Sequence, residues 1–202
     1  MKTAALILAA GGASRFGSVK QLARIGGKPM LQHCIDTANS LFPGAVYSVL
    51  GKNSDQVCRY ISSTTIIINS QWQRGLGSSI AIGVAHLQDD FDAILVLLAD
   101  QPRIKSYHLE QLIELFDNQQ VACTQYNSHL GVPAIFGKAY FNALMNLNGD
   151  KGGKELLESI CPAPKALVLG NVADDIDYPE DLAFLVQQIK TEKTQESQIK
   201  KH

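Results

Sequence analysis

"LILAAGGASRFGSVKQ", residues 6–21, runs from an unbroken apolar stretch straight into glycine and positive charge. Ala4 to Ala9 has the continuous apolar character of a strand buried on both faces, and Gly11 and Gly12 end it abruptly. A third glycine, Gly17, and two cations, Arg15 and Lys20, follow at once. Glycines let backbone N–H groups turn toward an anion without obstruction by a Cβ. An arginine can fork onto phosphate oxygens, and a lysine delivers a point charge. The stretch reads as a first strand followed by a polyphosphate-binding loop. A solvated turn with incidental charges is the competing reading. The same residues argue against a secretory leader, because the apolar run is short and leads into a glycine-arginine loop.

The same alternation continues outward from this stretch. A helix over 30–41, opened by Pro29, carries Leu31, Cys34, Ile35, Ala38 and Leu41 at helical spacing. Strands are expected at 45–50, 64–69 and 91–100, with helices at 55–61, 78–87 and 106–116, the last with Ser106 as N-cap. In the second half, 121–126 and 132–136 read as strands, 138–147 and 154–160 as helices, and 165–170 as a last strand. Pro179 opens a helix to about residue 189, and a polar tail from 191 to 202 frays or extends it. This pattern predicts one α/β domain over residues 1–190, with a mainly parallel central sheet and helices on both faces.

Composition narrows the function. The 202 residues are 46% hydrophobic and 18% charged, enough to bury a sizeable core. The net charge of −1 lacks the basic excess of a general nucleic-acid binder. No stretch approaches the length of a membrane span. The four cysteines, Cys34, Cys58, Cys123 and Cys161, form no C-x-x-C and have no histidines at ligand-like spacing, which speaks for free thiols in a reducing cytoplasm and against zinc.

Ligands of such sheets bind beyond the carboxyl ends of the strands, and further candidates fall there. Asp100 closes "AILVLLADQP", where an ionised carboxylate after an apolar run needs a partner; magnesium is the natural one beside phosphates. Asp175 and Asp177, two apart in "DDIDYPEDL", face the same way on an extended chain and suggest a second contribution to that metal site. Asp174 would face opposite. In "NSQWQRGLGSSI", Gly77 and Ser78 lead into a helix whose N-terminus can receive a base or phosphate; Trp72 reads equally as packing. Lys151 and Lys154, in "GDKGGK", suit an anionic substrate or a solvated turn, and His129 reads as a surface histidine. The Walker G-K-[S/T], the dinucleotide fingerprint and the G-x-S-x-G elbow are all absent. The inventory fits phosphoryl or nucleotidyl transfer to an acceptor that is already anionic, with rate supplied by positioning and charge neutralisation.

Taken together, "LAAGGASRFGSVKQL", "W-x-x-G-L-G-S-S", "ADQP", "GVPAIF", "L-N-G-D-K-G-G-K-x-L-L" and "DIDYPEDL" resemble, in this order, the MobA-like nucleotidyltransferases, and most closely the molybdenum cofactor cytidylyltransferases. The resemblance spans roughly residues 4–185. It implies a Rossmann-like nucleotidyltransferase fold and transfer of a nucleoside monophosphate from CTP, or GTP, onto a phosphate such as that of molybdopterin, with release of pyrophosphate. Carried over by position, Ala9, Ala10, Gly11 and Gly12 would approach base and ribose. Arg15 and Lys20 would hold the triphosphate, Asp100 would bind Mg²⁺, and Asp177 or Asp175 would support it. Lys154 stands in the acceptor-binding region, where the family often has arginine. Ala10 favours CTP, because guanylyl relatives usually carry glycine there. Other acceptors, among them sugar and polyol phosphates, remain open. So does a non-catalytic accessory protein that hands a cofactor to a molybdoenzyme.

Overall fold

In the computed structural model, residues 1–12, 16–126, 129–149, 152–173 and 175–199 are described. The chain forms strands β1 (Thr3–Ala9), β2 (Arg24–Ile25), β3 (Lys28–Pro29), β4 (Val46–Leu50), β5 (Thr65–Ile68), β6 (Ala93–Leu98), β7 (Ala122–Tyr126), β8 (His129–Gly137) and β9 (Lys165–Val168). The α-helices are α1 (Met30–Asn39), α2 (Ser54–Val57), α3 (Leu76–Leu87), α4 (Ser106–Leu115), α5 (Phe141–Met145), α6 (Gly152–Ser159) and α7 (Pro179–Ile199).

Seven strands make one sheet in the order β5-β4-β1-β6-β8-β7-β9, while β2 and β3 form a separate two-stranded ribbon. The pairs β5–β4, β4–β1, β1–β6 and β7–β9 are parallel, and β8 runs antiparallel to both β6 and β7. The expected α/β fold with a mainly parallel sheet is therefore present.

The alternation of side chains along β1 explains why the strand is apolar throughout. Ala5, Ile7 and Ala9 point into a core layer with Leu31 and Ile35 of α1 and Leu109 and Leu112 of α4. Ala4, Leu6, Leu8 and Ala10 point the other way, into a layer with Ile80, Val84 and Leu87 of α3 and Phe141 and Leu144 of α5. Leu6 and Ile7 are completely buried, each worth about 1.5–3 kcal/mol. A smaller cluster of Phe16, Ile25, Met30, Ile176 and Leu185 fastens α7 beneath the opening loop.

Two local readings differ from expectation, and the polar tail takes the extending alternative. The helix expected to be capped by Ser106 begins at Ser106 itself, with Lys105 at the cap position. The Lys105 N–H donates to His108 Nδ1 at 3.1 Å, so the cap residue's own N–H is satisfied from the first turn of the helix. The strand expected at 132–136 spans His129–Gly137 and runs against its neighbours, because it returns from β7 through a short connection. Helix α7 continues through the polar segment to Ile199.

Register then positions the site. Leu8 lies opposite Leu98, and Ala9 opposite Leu50, so β1, β4 and β6 end together. The Ala99 N–H donates to Leu8 O at 3.1 Å, which brings Asp100 out beside the glycine loop.

Candidate functional site

A cleft of about 560 Å³ opens beyond these strand ends. Ala9, Ala10, Gly11 and Gly12 form one wall, and Lys20, Asp100 and Asp177 gather opposite. Trp72, Gly75, Leu76 and Ser79 form a further side, partly from the start of α3.

The loop wall has a defined orientation. Gln21 is buried, and its Nε2 donates to Ala9 O at 2.8 Å and to Gly11 O at 3.1 Å. The carbonyl between them, Ala10 O, accepts the Lys52 N–H at 3.4 Å. A planar trans peptide sets each N–H opposite the preceding carbonyl. The N–H groups of Ala10, Gly11 and Gly12 therefore point away from the groups that hold these three carbonyls. A Cβ on Gly12 would come within 3.0 Å of the Trp72 ring, so glycine permits the indole to pack directly on the loop backbone.

Charge converges at the other wall. The Lys20 ammonium donates to Asp100 Oδ2 at 2.8 Å and to Asp177 Oδ1 at 2.9 Å, although the three residues are far apart in sequence. The lysine side chain is only 11% exposed, against 25% for Asp100 and 46% for Asp177. Burial pulls the Lys20 pKa down, but the Asp100 charge and the hydrogen bonds to both carboxylates outweigh it, leaving the value raised. The Ile176 N–H donates to Asp100 O at 3.0 Å, which carries the 175–177 segment to the end of β6. Ile176 is buried in the small apolar cluster. Asp181 Oδ2 accepts the N–H groups of Asp177 and Tyr178 at 3.0 and 2.8 Å, capping the start of α7 and fixing the turn.

Asp175 lies next to this group but does not line the cleft. Its carboxyl accepts from Gln101 Nε2 at 3.0 Å and is pushed up to about 6, by burial first and then by the Asp100 charge. The residue still presents area to solvent, so crowding of the carboxyl by protein atoms, rather than full enclosure, is the source of that burial.

The expected residues divide clearly. Ala9, Ala10, Gly11, Gly12, Lys20, Asp100 and Asp177 come together around one cleft. Arg15 falls outside the described residues, as do Lys151 and Asp174. Gly77 and Ser78 stand apart from the cleft lining. The Gly77 N–H donates to Gly149 O at 2.9 Å, and a Cβ there would meet Asn148 N and Gly149 O, both at 2.9 Å. Gly77 is thus needed for close backbone approach. Ser78 Oγ donates to Gly75 O at 2.8 Å and accepts from Asn69 Nδ2 at 3.0 Å, bracing the turn into α3. Lys154 is half exposed and faces Glu158 at 3.8 Å, one helical turn away, outside the cleft lining. Gln21 and Ser79 were not expected in the site. Gln21 is adjacent to Lys20 in sequence, and a glutamine beside a glycine loop was the available signal.

The donor set suits a hard divalent cation in part. Asp100 Oδ1 is buried with no hydrogen-bond partner, and carboxylate oxygens are the ligands such cations prefer. Among the described residues no group of three or more His, Cys, Asp or Glu side chains is gathered tightly enough to hold a metal alone. Thiol chemistry is disfavoured: Cys34, behind Asp100, is pushed up to about 12 by burial and by the Asp100 charge. Among the described residues, no helix is long and apolar enough to cross a membrane.

Comparison with known proteins bears on the family and the fold. The model of the MobA-like NTP transferase domain matches residues 5–165. The bifunctional protein GlmU of Nostoc sp. is 31% identical over 139 residues, covering 67% of this chain but only 31% of that protein. The chain thus matches about a third of the length of this curated relative. Among solved structures, Rv0371c of Mycobacterium tuberculosis H37Rv superposes with a TM-score of 0.81 at 24% identity, covering 93% of this chain and 98% of that one. The same protein in complex with manganese gives 0.77 at 22% identity, covering 93% and 99%. CMP:2-keto-3-deoxy-manno-octonic acid synthetase complexed with CTP gives 0.73 at 15% identity, covering 95% and 100%. At these identities the structural likeness is one of fold.

Proposed function

From the premise that the chain belongs to the MobA-like NTP transferase family, we propose that it is a nucleotidyltransferase that moves CMP from CTP onto a phosphate monoester, with release of pyrophosphate. The observation that carries the proposal is the meeting of Lys20, Asp100 and Asp177 at the open end of the glycine loop. Molybdopterin is the acceptor that the motif order favours. A sugar or polyol phosphate is the second reading, which the same motif order leaves open.

In the proposed reaction an oxygen of the acceptor phosphate attacks the α-phosphorus of CTP. The bond from that phosphorus to the bridging oxygen breaks, and the pyrophosphate takes the electron pair. The acceptor is already anionic, so no strong protein base is required. The backbone N–H groups of Gly11 and Gly12, oriented through Lys52 and Gln21 respectively, face the nucleotide. Ala10 and Trp72 limit the space for the base. Arg15 and Lys20 supply positive charge to the triphosphate. Asp100 and Asp177 would hold Mg²⁺, which when bound neutralises charge on the phosphoryl oxygens and the departing pyrophosphate.

The test is pyrophosphate release from CTP and from GTP with Mg²⁺, in the presence of molybdopterin and, separately, of sugar phosphates. Acceptor-dependent release with CTP supports the reading. Binding of molybdopterin without any release would favour an accessory carrier instead.

A further inference from the structure

The site assigns two tasks to the same few atoms. Asp100 and Asp177 are the carboxylates available for a divalent cation, and Lys20 is the cation available for phosphate. Yet the Lys20 ammonium lies between those two carboxylates, at 2.8 and 2.9 Å. A dication placed on the same oxygens would stand within a few ångströms of the ammonium, where like charges repel strongly in a partly desolvated wall. We infer that Lys20 is the standing counter-ion of the Asp100–Asp177 pair and exchanges with the divalent cation, so that metal and nucleotide enter the site together. This inference rests on the nucleotidyltransferase reading above.

Three observations support the exchange. First, Lys20 is nearly enclosed, so its charge needs a partner wherever it sits. It leaves the carboxylates when another anion, such as a polyphosphate in the adjoining cleft, can take it. Second, the described residues offer too few ligands to hold a hard dication unaided. No group of three candidate side chains is gathered among the described residues, and the Asp175 carboxyl is engaged by Gln101 Nε2. Such cations take about six oxygens and are usually shared between one or two carboxylates and substrate phosphates. Third, Asp100 Oδ1 is buried and unpartnered, so the carboxylate keeps coordinating capacity that the lysine, held on Oδ2, does not use. The polyphosphate thus acts twice, receiving the displaced ammonium and completing the coordination of the metal.

The consequence is positive coupling between metal and nucleotide, and Lys20 is the residue that enforces it. The test measures Mn²⁺ binding to the full chain by the electron paramagnetic resonance signal of the free ion, without nucleotide, for the parent and for Lys20→Met. Removing the competing ammonium should tighten Mn²⁺ binding by about tenfold or more, within the usual range of such couplings. Adding a nonhydrolysable CTP analogue should then tighten Mn²⁺ binding much more in the parent than in the variant. Equal or weaker Mn²⁺ binding by Lys20→Met would overturn the inference.

If that variant does not fold, the parent protein still decides the matter. With lysine labelled at its side-chain carbon and nitrogen, the Lys20 signal, identified by its loss in Lys20→Arg, should shift when Mg²⁺ and the analogue are added together. An unchanged signal at saturation would refute the exchange. Failure of the analogue to bind at all would instead count against the nucleotidyltransferase reading, and the metal-only comparison would still report on the counter-ion role.

Discussion

Replacing Asp100 with asparagine keeps the size of the side chain and removes its charge, which separates folding from chemistry. For stability, two effects oppose each other. Lys20 loses one of its two carboxylate partners but keeps Asp177 at 2.9 Å. The Asp100 side chain is a quarter exposed, so the lost pair is worth about 1 kcal/mol, the upper end for solvent-accessible pairs. Against this, the Asp175 carboxyl is pushed up partly by the Asp100 charge and is relieved when that charge goes. The net change in unfolding free energy should be within about 1 kcal/mol, too small to unfold a domain of typical stability. Turnover should behave differently. Asp100 carries the unpartnered buried oxygen and stands at the end of β6 beside the loop, so in the proposed reaction it would hold the cation that stabilises the reacting phosphates. Loss of one such electrostatic element costs on the order of 10²–10³ in kcat. The assay is pyrophosphate release at saturating Mg²⁺, on protein whose urea unfolding midpoint has first been measured. Near-parental turnover from folded Asp100→Asn protein would refute the assignment of Asp100 to the metal.

Other substitutions test other parts. Asp175 has a folded-state pKa raised to about 6, above its unfolded value of about 3.9, so its contribution is most favourable below about pH 4 and is lost as pH rises through 6. Discounted for solvent contact, Asp175→Asn should stabilise the chain by about 1 kcal/mol at pH 7 and by nothing at pH 4, read from urea midpoints at the two values; equal effects at both would contradict the crowding. Gln21→Glu sets a carboxylate against Ala9 O and Gly11 O in place of a shared donor, at about 1–3 kcal/mol for the unsatisfied carbonyls. It should raise the nucleotide KM by roughly tenfold while kcat changes less, and an unchanged KM would remove Gln21 from the orientation of the loop. Ala10→Gly, by deleting one buried methyl from the cleft wall, should move the kcat/KM ratio of CTP over GTP toward GTP by roughly tenfold or more; a ratio that stays put would show that discrimination lies elsewhere.

The parts of this protein legible from sequence are those written in local pattern. The apolar runs of β1 and β6 could only be strands covered on both faces, and residues that follow such strands in a parallel sheet emerge at one edge. Ala9 to Gly12, Lys20, Asp100 and Asp177, singled out along the chain, line one cleft. Direction is not written in an apolar run, so the reversal of β8 was hidden. Gly77 and Ser78 have the composition of an anion-receiving helix start, but Gly77 is small because residues 148 and 149 press on it, a contact between distant segments. Lys154 drew attention by its charge and lies outside the cleft lining. Gln21 carried only a weak signal, its place beside a glycine loop, because its task is set by where the loop returns, and Ser106 fell inside the helix by one residue, with Lys105 at the cap.

The hydrogen bond from Ile176 N to Asp100 O has a consequence in time. As the chain is synthesised, β1, the glycine loop, Lys20 and Asp100 all emerge long before Asp177. Until Ile176 docks against the end of β6, Lys20 has a single carboxylate and the charged wall of the cleft is incomplete. The residue that completes the charge cluster therefore arrives after the rest of it, and it comes attached to α7, whose Leu185 joins Phe16 in one apolar cluster. The partly made protein has a sheet before it has a centre of reaction, and a nascent chain that cannot yet gather the cluster has little means of sequestering nucleotide.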